Sequence, residues 1–200
     1  MGVPSEYHSA EDGSDPIARV LQGWRTERPD LDVAPIAITA RLSRLRQALG
    51  GRLDAVFAEH GLSGADFAVL ATIVRTGGEP LSQRRLGTEL NLTPGTISVR
   101  VDRLVRDGLV ERVPDPADGR GQLVGLTDAG RQRFEACAPE HLANARRLTS
   151  GITRDEFDQL ATLLGKLLTS LDDEAGDGTD ASAPADGGAT TARARRRSAR

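Results

Sequence analysis

Cysteine, histidine and aromatic residues are all scarce in this chain of 200 residues. The single cysteine, Cys137, excludes a disulfide framework within the chain and any cysteine-rich metal site. The three histidines, His8, His60 and His141, are too scattered in the sequence to suggest a cluster of metal ligands. Because aromatic residues make up only 3% of the chain, its core must consist of Leu, Val, Ile and Ala, which is typical of packed helices.

Long apolar runs are also missing, since none approaches the roughly 20 residues that a membrane span needs. The polar, acidic N-terminus does not resemble a secretory signal, so we expect a cytoplasmic protein with no membrane partner. No glycine-rich phosphate loop, metal-ligand spacing or nucleophile elbow is present. These absences argue against an enzyme and against a bound cofactor.

Charge is unevenly distributed along a chain whose net charge is only -3. Residues 81–133 contain nine arginines against seven acidic residues, whereas the remainder of residues 1–173 contains twelve basic residues against eighteen acidic ones. This asymmetry is a weak indication that one region of the protein meets an anionic partner.

Apolar spacing and capping residues predict seven helices and two strands. The helices are expected at 15–28, 35–60, 65–75, 82–90, 93–108, 127–148 and 153–173, with an interruption of the sixth near Pro139. Leu-Val-Glu-Arg-Val and Gln-Leu-Val-Gly-Leu are the two strands, and Asp115–Thr127 includes the turn between them. Residues 1–14 and the Arg-ended segment 174–200 are expected to be disordered.

A helix, a short turn, a second helix and a hairpin together predict a winged helix-turn-helix, in a mainly α protein with a two-stranded wing. We assign residues 63–127 to this lobe and residues 15–60 and 128–173 to a helical dimerisation region. The second helix of the pair places four apolar residues on its core side, Ile97, Val101, Leu104 and Val105. Its other side, with Gly95, Thr96, Ser98, Val99, Asp102 and Arg103, then faces outward and suits insertion into a major groove.

The turn of the hairpin carries Arg120 between Gly119 and Gly121. A guanidinium at this position could enter a minor groove, with Asp118 orienting it, although a solvated turn with an incidental arginine is the alternative. The residues that we expect to contact DNA are Ser82, Thr93, Gly95, Thr96, Ser98, Val99, Arg103, Asp118 and Arg120.

Residues 92–131, from Leu-Thr-Pro-Gly to Asp-Ala-Gly-Arg, resemble the signature region of the MarR family of bacterial transcription regulators. The match includes the family's wing pattern, here Asp118, Arg120, Leu126 and Thr127. The resemblance implies an obligate homodimer that binds a pseudopalindromic operator, acts as a repressor and is released by a small molecule.

The helix that includes Trp24 resembles the additional first helix of the urate-responsive subgroup of this family. The resemblance implies a ligand pocket in this chain at Trp24, Arg100 and Arg112. The subgroup also has an acidic residue in its pocket, and the matching position here is Ala68. Asp66 is expected to point to a different helical face, so the pocket should be cationic. We therefore expect a small organic anion as effector, urate-like or a di- or tricarboxylate, and a cationic pocket favours the more highly charged di- or tricarboxylate over a weakly acidic purine.

Several alternatives remain open at this stage. Trp24 could be a packed amphipathic residue, Arg112 a solvated strand residue and Arg100 a phosphate contact. Cys137 could make the protein a redox-responsive regulator, although a packed small hydrophobe is favoured. The winged helix could also be a protein-interaction module without DNA binding, and the arginine tail could either add DNA affinity or remain solvated.

Overall fold

The computed structural model describes residues 15–119 and 121–177. The predictions of disorder for residues 1–14 and 178–200, and the whole of the prediction for Arg120, lie outside the described residues. One compact unit extends to Leu148 and a second begins at Thr149. No helix within the described residues combines the length and the apolarity that crossing a bilayer requires.

Within the described residues, six helices and three strands form the first unit. The helices are α1 (Pro16–Glu27), α2 (Ala34–Glu59), α3 (Gly64–Arg75), α4 (Gln83–Glu89), α5 (Pro94–Arg106) and α6 (Asp128–Leu148). The strands are β1 (Leu81–Ser82), β2 (Val110–Pro114) and β3 (Gln122–Leu126). The mainly α winged-helix prediction is therefore confirmed.

The sheet differs from the predicted hairpin by one additional strand. β3 pairs antiparallel with β2, from Val110 opposite Leu126 to Pro114 opposite Gln122. On its other side β3 pairs with the two-residue strand β1, where Leu81 lies opposite Val124. β1 escaped the sequence analysis because two residues are too few to show an alternating pattern.

Predicted caps begin several of the helices. The Asp15 side chain accepts a hydrogen bond from the Ile17 backbone N–H at 2.9 Å, and Ser82 accepts one from Arg85 at 3.2 Å. Thr93 accepts one from the Thr96 backbone N–H at 3.3 Å. The side-chain oxygen of each capping residue satisfies a backbone donor of the first turn that has no intrahelical partner.

The predicted interruption at Pro139 is wrong, because α6 continues through this residue to Leu148. A proline removes one backbone hydrogen bond, and tertiary contacts on both sides of it can hold the helix together. On the C-terminal side, the buried Asn144 donates from Nδ2 to the carbonyl oxygen of Arg52 at 3.0 Å. This bond joins α6 to the middle of α2.

The core is centred on α3 and α5, with α4, α6 and the sheet packed around them. Ile97, Val101 and Leu104 of α5 are at most 1% exposed, as their spacing predicts. Three of the four phenylalanines, Phe57, Phe67 and Phe134, pack in a chain of ring contacts where α2, α3 and α6 meet. The recognition-type helix α5 therefore rests on a packed apolar base.

α1 packs on α2 through its one buried residue, Leu21, and through the ion pair between Asp15 and Arg41. Arg41 donates from Nε to Asp15 at 2.9 Å. The Ile17 backbone N–H and, after it, the Arg41 guanidinium lower the pKa of Asp15, so the carboxylate stays charged at neutral pH.

α7 (Arg154–Asp177) belongs to the second unit and extends past residue 173, where the sequence analysis began the tail. Glu156 accepts hydrogen bonds from the backbone N–H and the hydroxyl of Thr153, both at 2.8 Å, which begins the helix. Six of its large apolar side chains are 37–62% exposed: Phe157, Leu160, Leu163, Leu167, Leu168 and Leu171.

Gly130→Ala tests the contact between α6 and the residue before β2. A Cβ at this position would lie 1.9 Å from the carbonyl oxygen of Leu109. Because a backbone atom cannot yield as a flexible side chain would, we expect a loss of about 3 kcal/mol in the free energy of unfolding. Urea unfolding at fixed protein concentration measures this loss.

The matched control is Gly23→Ala in α1, where a Cβ would meet no atom within 4 Å. This variant should keep or raise stability, by up to about 1 kcal/mol, because alanine favours the helix. Equal effects of the two substitutions would contradict the close contact at Gly130.

Candidate nucleic-acid interface and effector site

The outward face of α5 lines a shallow cavity of about 410 Å³. The residues that line the cavity are Gly95, Thr96, Val99, Arg100 and Arg103. The hydroxyl groups of Thr93 and Thr96 form a hydrogen bond of 2.9 Å. The start of α5 therefore presents a fixed pair of small polar groups. A surface of this kind leaves the backbone of the first turn accessible to a large ligand.

The structure describes eight of the nine residues predicted to contact DNA, and six of these eight are exposed. Thr93, Gly95, Thr96, Val99 and Arg103 are exposed, as is Asp118. Ser98 and Ser82 are half-buried, and the Ser82 hydroxyl already accepts the capping bond of α4. These two serines therefore offer less to a partner than the sequence analysis supposed.

The turn between β2 and β3 is organised by Asp115, which the sequence analysis left without a role. Its carboxylate accepts a hydrogen bond from the Ala117 backbone N–H at 2.9 Å, and its own N–H donates to the Gly121 carbonyl at 3.0 Å. Gly121 in turn donates to the Asp118 carbonyl oxygen at 2.8 Å. An aspartate followed by proline is a common turn-initiating pair, and this was the available sequence signal.

Asp66 is the residue whose place the sequence analysis got wrong. It is only 1% exposed, and its carboxylate points toward α5 rather than to a separate face. Oδ2 accepts hydrogen bonds from the backbone N–H and the hydroxyl of Ser63, at 2.9 and 2.6 Å. The Ser63 oxygen accepts the Asp66 N–H in return, which completes a capping box at the start of α3.

Two arginines of α5 converge on the same carboxylate. Arg100 donates from Nη1 to Oδ1 of Asp66 at 3.2 Å, and Nη2 of Arg103 lies 3.4 Å from Oδ2. The expectation that Asp66 points away from Arg100 is therefore wrong. Because capping folds the Asp66 side chain back over the first turn, counting helical faces from Ala68 gave the wrong direction.

Arg100 still has unused hydrogen-bonding capacity. Its Nε is buried and has no hydrogen-bond partner among the described residues. Burying an unpaired donor costs free energy, so a movement of the Arg100 side chain that brought an acceptor to this atom would be favourable.

Arg112 and Trp24 complete the predicted ligand set, in different surroundings. Arg112 in β2 donates from Nη2 to Oδ1 of Asp102, which lies two residues after Arg100 on α5. The Arg112 side chain is 25% exposed. Trp24 is 44% exposed on α1 and lies outside the buried core.

Cys137 is fully buried among the core residues. Burial, and to a smaller extent the neighbouring Glu140, raise the pKa of its thiol. Because the thiolate is the reactive form, this environment makes Cys137 poorly reactive and disfavours the alternative of a redox switch.

Winged-helix proteins are defined by a helix pair followed by a wing, in which the second helix has one exposed face. A sequence profile of the MarR family matches residues 60–121. The HTH-type transcriptional regulator PecS of Dickeya dadantii is 34% identical over 152 residues, which cover 76% of this chain and 92% of PecS. The chain therefore belongs to the MarR family of transcription regulators, and its relatives are regulators rather than enzymes.

Solved structures agree with this assignment. A cysteine-to-serine mutant of Escherichia coli MarR in complex with operator DNA is 31% identical, with a TM-score of 0.62, and the match covers 68% of this chain and 96% of that one. CouR from Rhodococcus jostii bound to p-coumaroyl-CoA is 28% identical, with a TM-score of 0.58, and the match covers 65% and 90%.

Asp66→Ala tests the buried carboxylate at the junction of α3 and α5. Removing it leaves two arginines without their shared partner and removes a cap, so we expect a loss of about 3 kcal/mol in unfolding free energy. Asp102→Ala is the matched control, because its side chain is 53% exposed and its ion pair is with a single arginine, Arg112. The control should lose less than about 1 kcal/mol by urea unfolding, and similar losses in both variants would contradict the distinction.

Proposed function

We propose that this protein is a ligand-responsive transcriptional regulator that binds a pseudopalindromic DNA operator as a homodimer and acts as a repressor. The observation that carries the proposal is the exposed first turn of α5, with small polar groups beside a wing. Escherichia coli MarR, a relative with the same fold, is known bound to operator DNA. Such a helix fits a major groove, and its N-terminal N–H groups favour phosphate.

Within this proposal the predicted DNA contacts fall into three groups. Val99, Thr96 and Gly95 present the outward face of α5 to base edges, and Ser98 contributes at the margin because it is half-buried. Ser82 and Thr93, at the starts of α4 and α5, are placed to meet phosphates. Arg103, Asp118 and Arg120 complete the proposed interface, with Arg120 as the minor-groove residue of the wing.

The homodimer is supported by apolar surface that has no partner within its own unit. The exposed leucines of α7 form one such surface, and Ile38 and Leu45 of α2 are 55% and 50% exposed. A second copy of the chain would cover surfaces of this kind. Two recognition helices in successive major grooves must stand about 34 Å apart, which a dimer can arrange.

We propose a small organic anion as the effector, bound by Arg100 and Arg112 with Trp24 as an aromatic wall. The unpaired Nε of Arg100 supports this choice. CouR, a relative by structure, is known with p-coumaroyl-CoA bound. Because both arginines belong to elements that would read DNA, a bound anion could change the position of α5 and β2.

The position of Asp66 also supports a proposal for the charge of the effector. The arginines Arg100, Arg103 and Arg112 are paired with three carboxylates, those of Asp66, Asp102 and Asp107. A site with balanced charge gives a di- or tricarboxylate no particular advantage. We therefore propose a urate-like, singly charged planar anion rather than a citrate-like one.

Binding to the DNA upstream of the protein's own gene tests the regulatory function. The logarithm of the association constant should fall linearly with the logarithm of salt concentration, because arginines that contact phosphates release counterions. Fluorescence anisotropy at several salt concentrations measures the slope. A winged helix used only for protein interaction would bind no duplex even at low salt, and that result would overturn the proposal.

Arg100→Ala and Arg112→Ala test the effector site, and the single tryptophan, Trp24, provides a direct signal. Urate should change the Trp24 fluorescence of the free wild-type protein, with citrate weaker. Each substitution should weaken urate binding about tenfold or more, as expected when a charged hydrogen bond is lost. Thermal melting must show that the variants are folded.

Arg75→Ala is the matched control, because it removes an exposed arginine that pairs with Glu89 away from this site. Its urate titration should be the same as that of the wild type. An unchanged response in both site variants would reject binding by Arg100 and Arg112, whatever the outcome for DNA.

A further inference from the structure

The guanidinium groups of Arg100 and Arg103, which line the cavity of α5, are already engaged with carboxylates. Arg100 pairs with Asp66, and Arg103 lies near both Asp66 and Asp107, at 3.4 and 3.6 Å. Reading a guanine with an arginine requires both of its terminal donors to face the base edge. In this arrangement, sequence reading by these arginines would first require the contacts with Asp66 to break.

Val99 is the apolar group that remains at the centre of this surface. It is 71% exposed, more than any other large hydrophobic side chain in the described part of the chain. It lines the shallow cavity of α5 together with Gly95 and Thr96, one turn earlier on the same side. A β-branched valine is also a poor choice for an exposed helix position, so helix stability does not explain it.

The neighbours of Val99 leave room for a base pair to approach. A Cβ built on Gly95 would meet no atom within 4 Å, so the helix surface next to Val99 is open. The Thr96 hydroxyl is joined to that of Thr93, which reduces its freedom to select a base. The isopropyl group therefore dominates what this turn can recognise.

We propose that Val99 is a specificity-determining residue that contacts the C5-methyl group of a thymine in each half of the operator. This inference rests on the proposed function, because it assumes that α5 enters the major groove. The thymine methyl is the one apolar group that the four bases display there, whereas cytosine presents an amino donor beside an unmethylated C5. An apolar side chain without hydrogen-bonding groups fits against the thymine methyl group. Beside cytosine it would leave the amino donor without a hydrogen-bond partner.

The test removes the methyl group from the DNA and the isopropyl group from the protein, singly and together. A duplex is first enriched from a randomised library by the wild-type protein and is then synthesised with thymine or with uracil throughout. Wild type should bind the uracil duplex about fourfold more weakly per half-site, and roughly fifteenfold for two, as expected for one buried methyl-sized group in each.

For Val99→Ala, the ratio of the dissociation constants for the uracil and thymine duplexes should fall to less than about twofold. The isopropyl group that contacts the thymine methyl is absent from this variant. Val99→Thr retains one of the two methyl groups and should give an intermediate ratio, which keeps the test informative if Val99→Ala binds too weakly. Val20→Ala removes a valine of α1 that is 49% exposed, and it should keep the wild-type ratio.

The possible outcomes separate this inference from the function on which it rests. Equal ratios for wild type and both Val99 variants would overturn the thymine contact while leaving DNA binding intact. If the wild-type protein enriches no duplex at low salt, the proposed function fails and the thymine contact fails with it.

Discussion

A single buried carboxylate, that of Asp66, connects the helix that supports the winged-helix lobe to the helix that would read DNA. It completes the cap of α3 through Ser63 and accepts from Arg100 of α5. A buried carboxylate is stable only when it is well paired. Asp66 therefore depends both on the hydrogen bonds from Ser63 and on the two arginines of α5. The position of α5 on α3 is thus fixed by polar contacts as well as by the packing of Ile97 and Val101.

The same contacts connect the proposed effector site to the proposed DNA interface. Arg100 has one side of its guanidinium on Asp66 and a buried, unpaired Nε on the other. An anion bound at Nε would compete for the charge that now holds Asp66, and Arg103 shares that carboxylate. Since Val99 lies beside these arginines on α5, a ligand acting on Arg100 would also act on the residue we propose to read thymine.

Periodicity and capping predicted most of the fold, because both depend on neighbours in the sequence. Ser63, Ser82 and Thr93 begin their helices as expected, and the apolar face of α5 is buried. The short strand β1 and the continuity of α6 through Pro139 depend on tertiary partners and were missed. Asp66 was misplaced for a similar reason, although the spacing Ser63-x-x-Asp66 signalled a capping box that turns the carboxylate back over the first turn.

A double-mutant cycle between Asp66→Ala and Arg100→Ala measures the connection between the two helices most directly. The loss of the cap occurs in both backgrounds and cancels, so the coupling energy reports the ion pair alone. We predict that the two losses in unfolding free energy are not additive, with a coupling of more than about 1 kcal/mol. Additive losses would show that the pair of Asp66 and Arg100 does not hold α5, and would contradict this account of how the effector and DNA sites are joined.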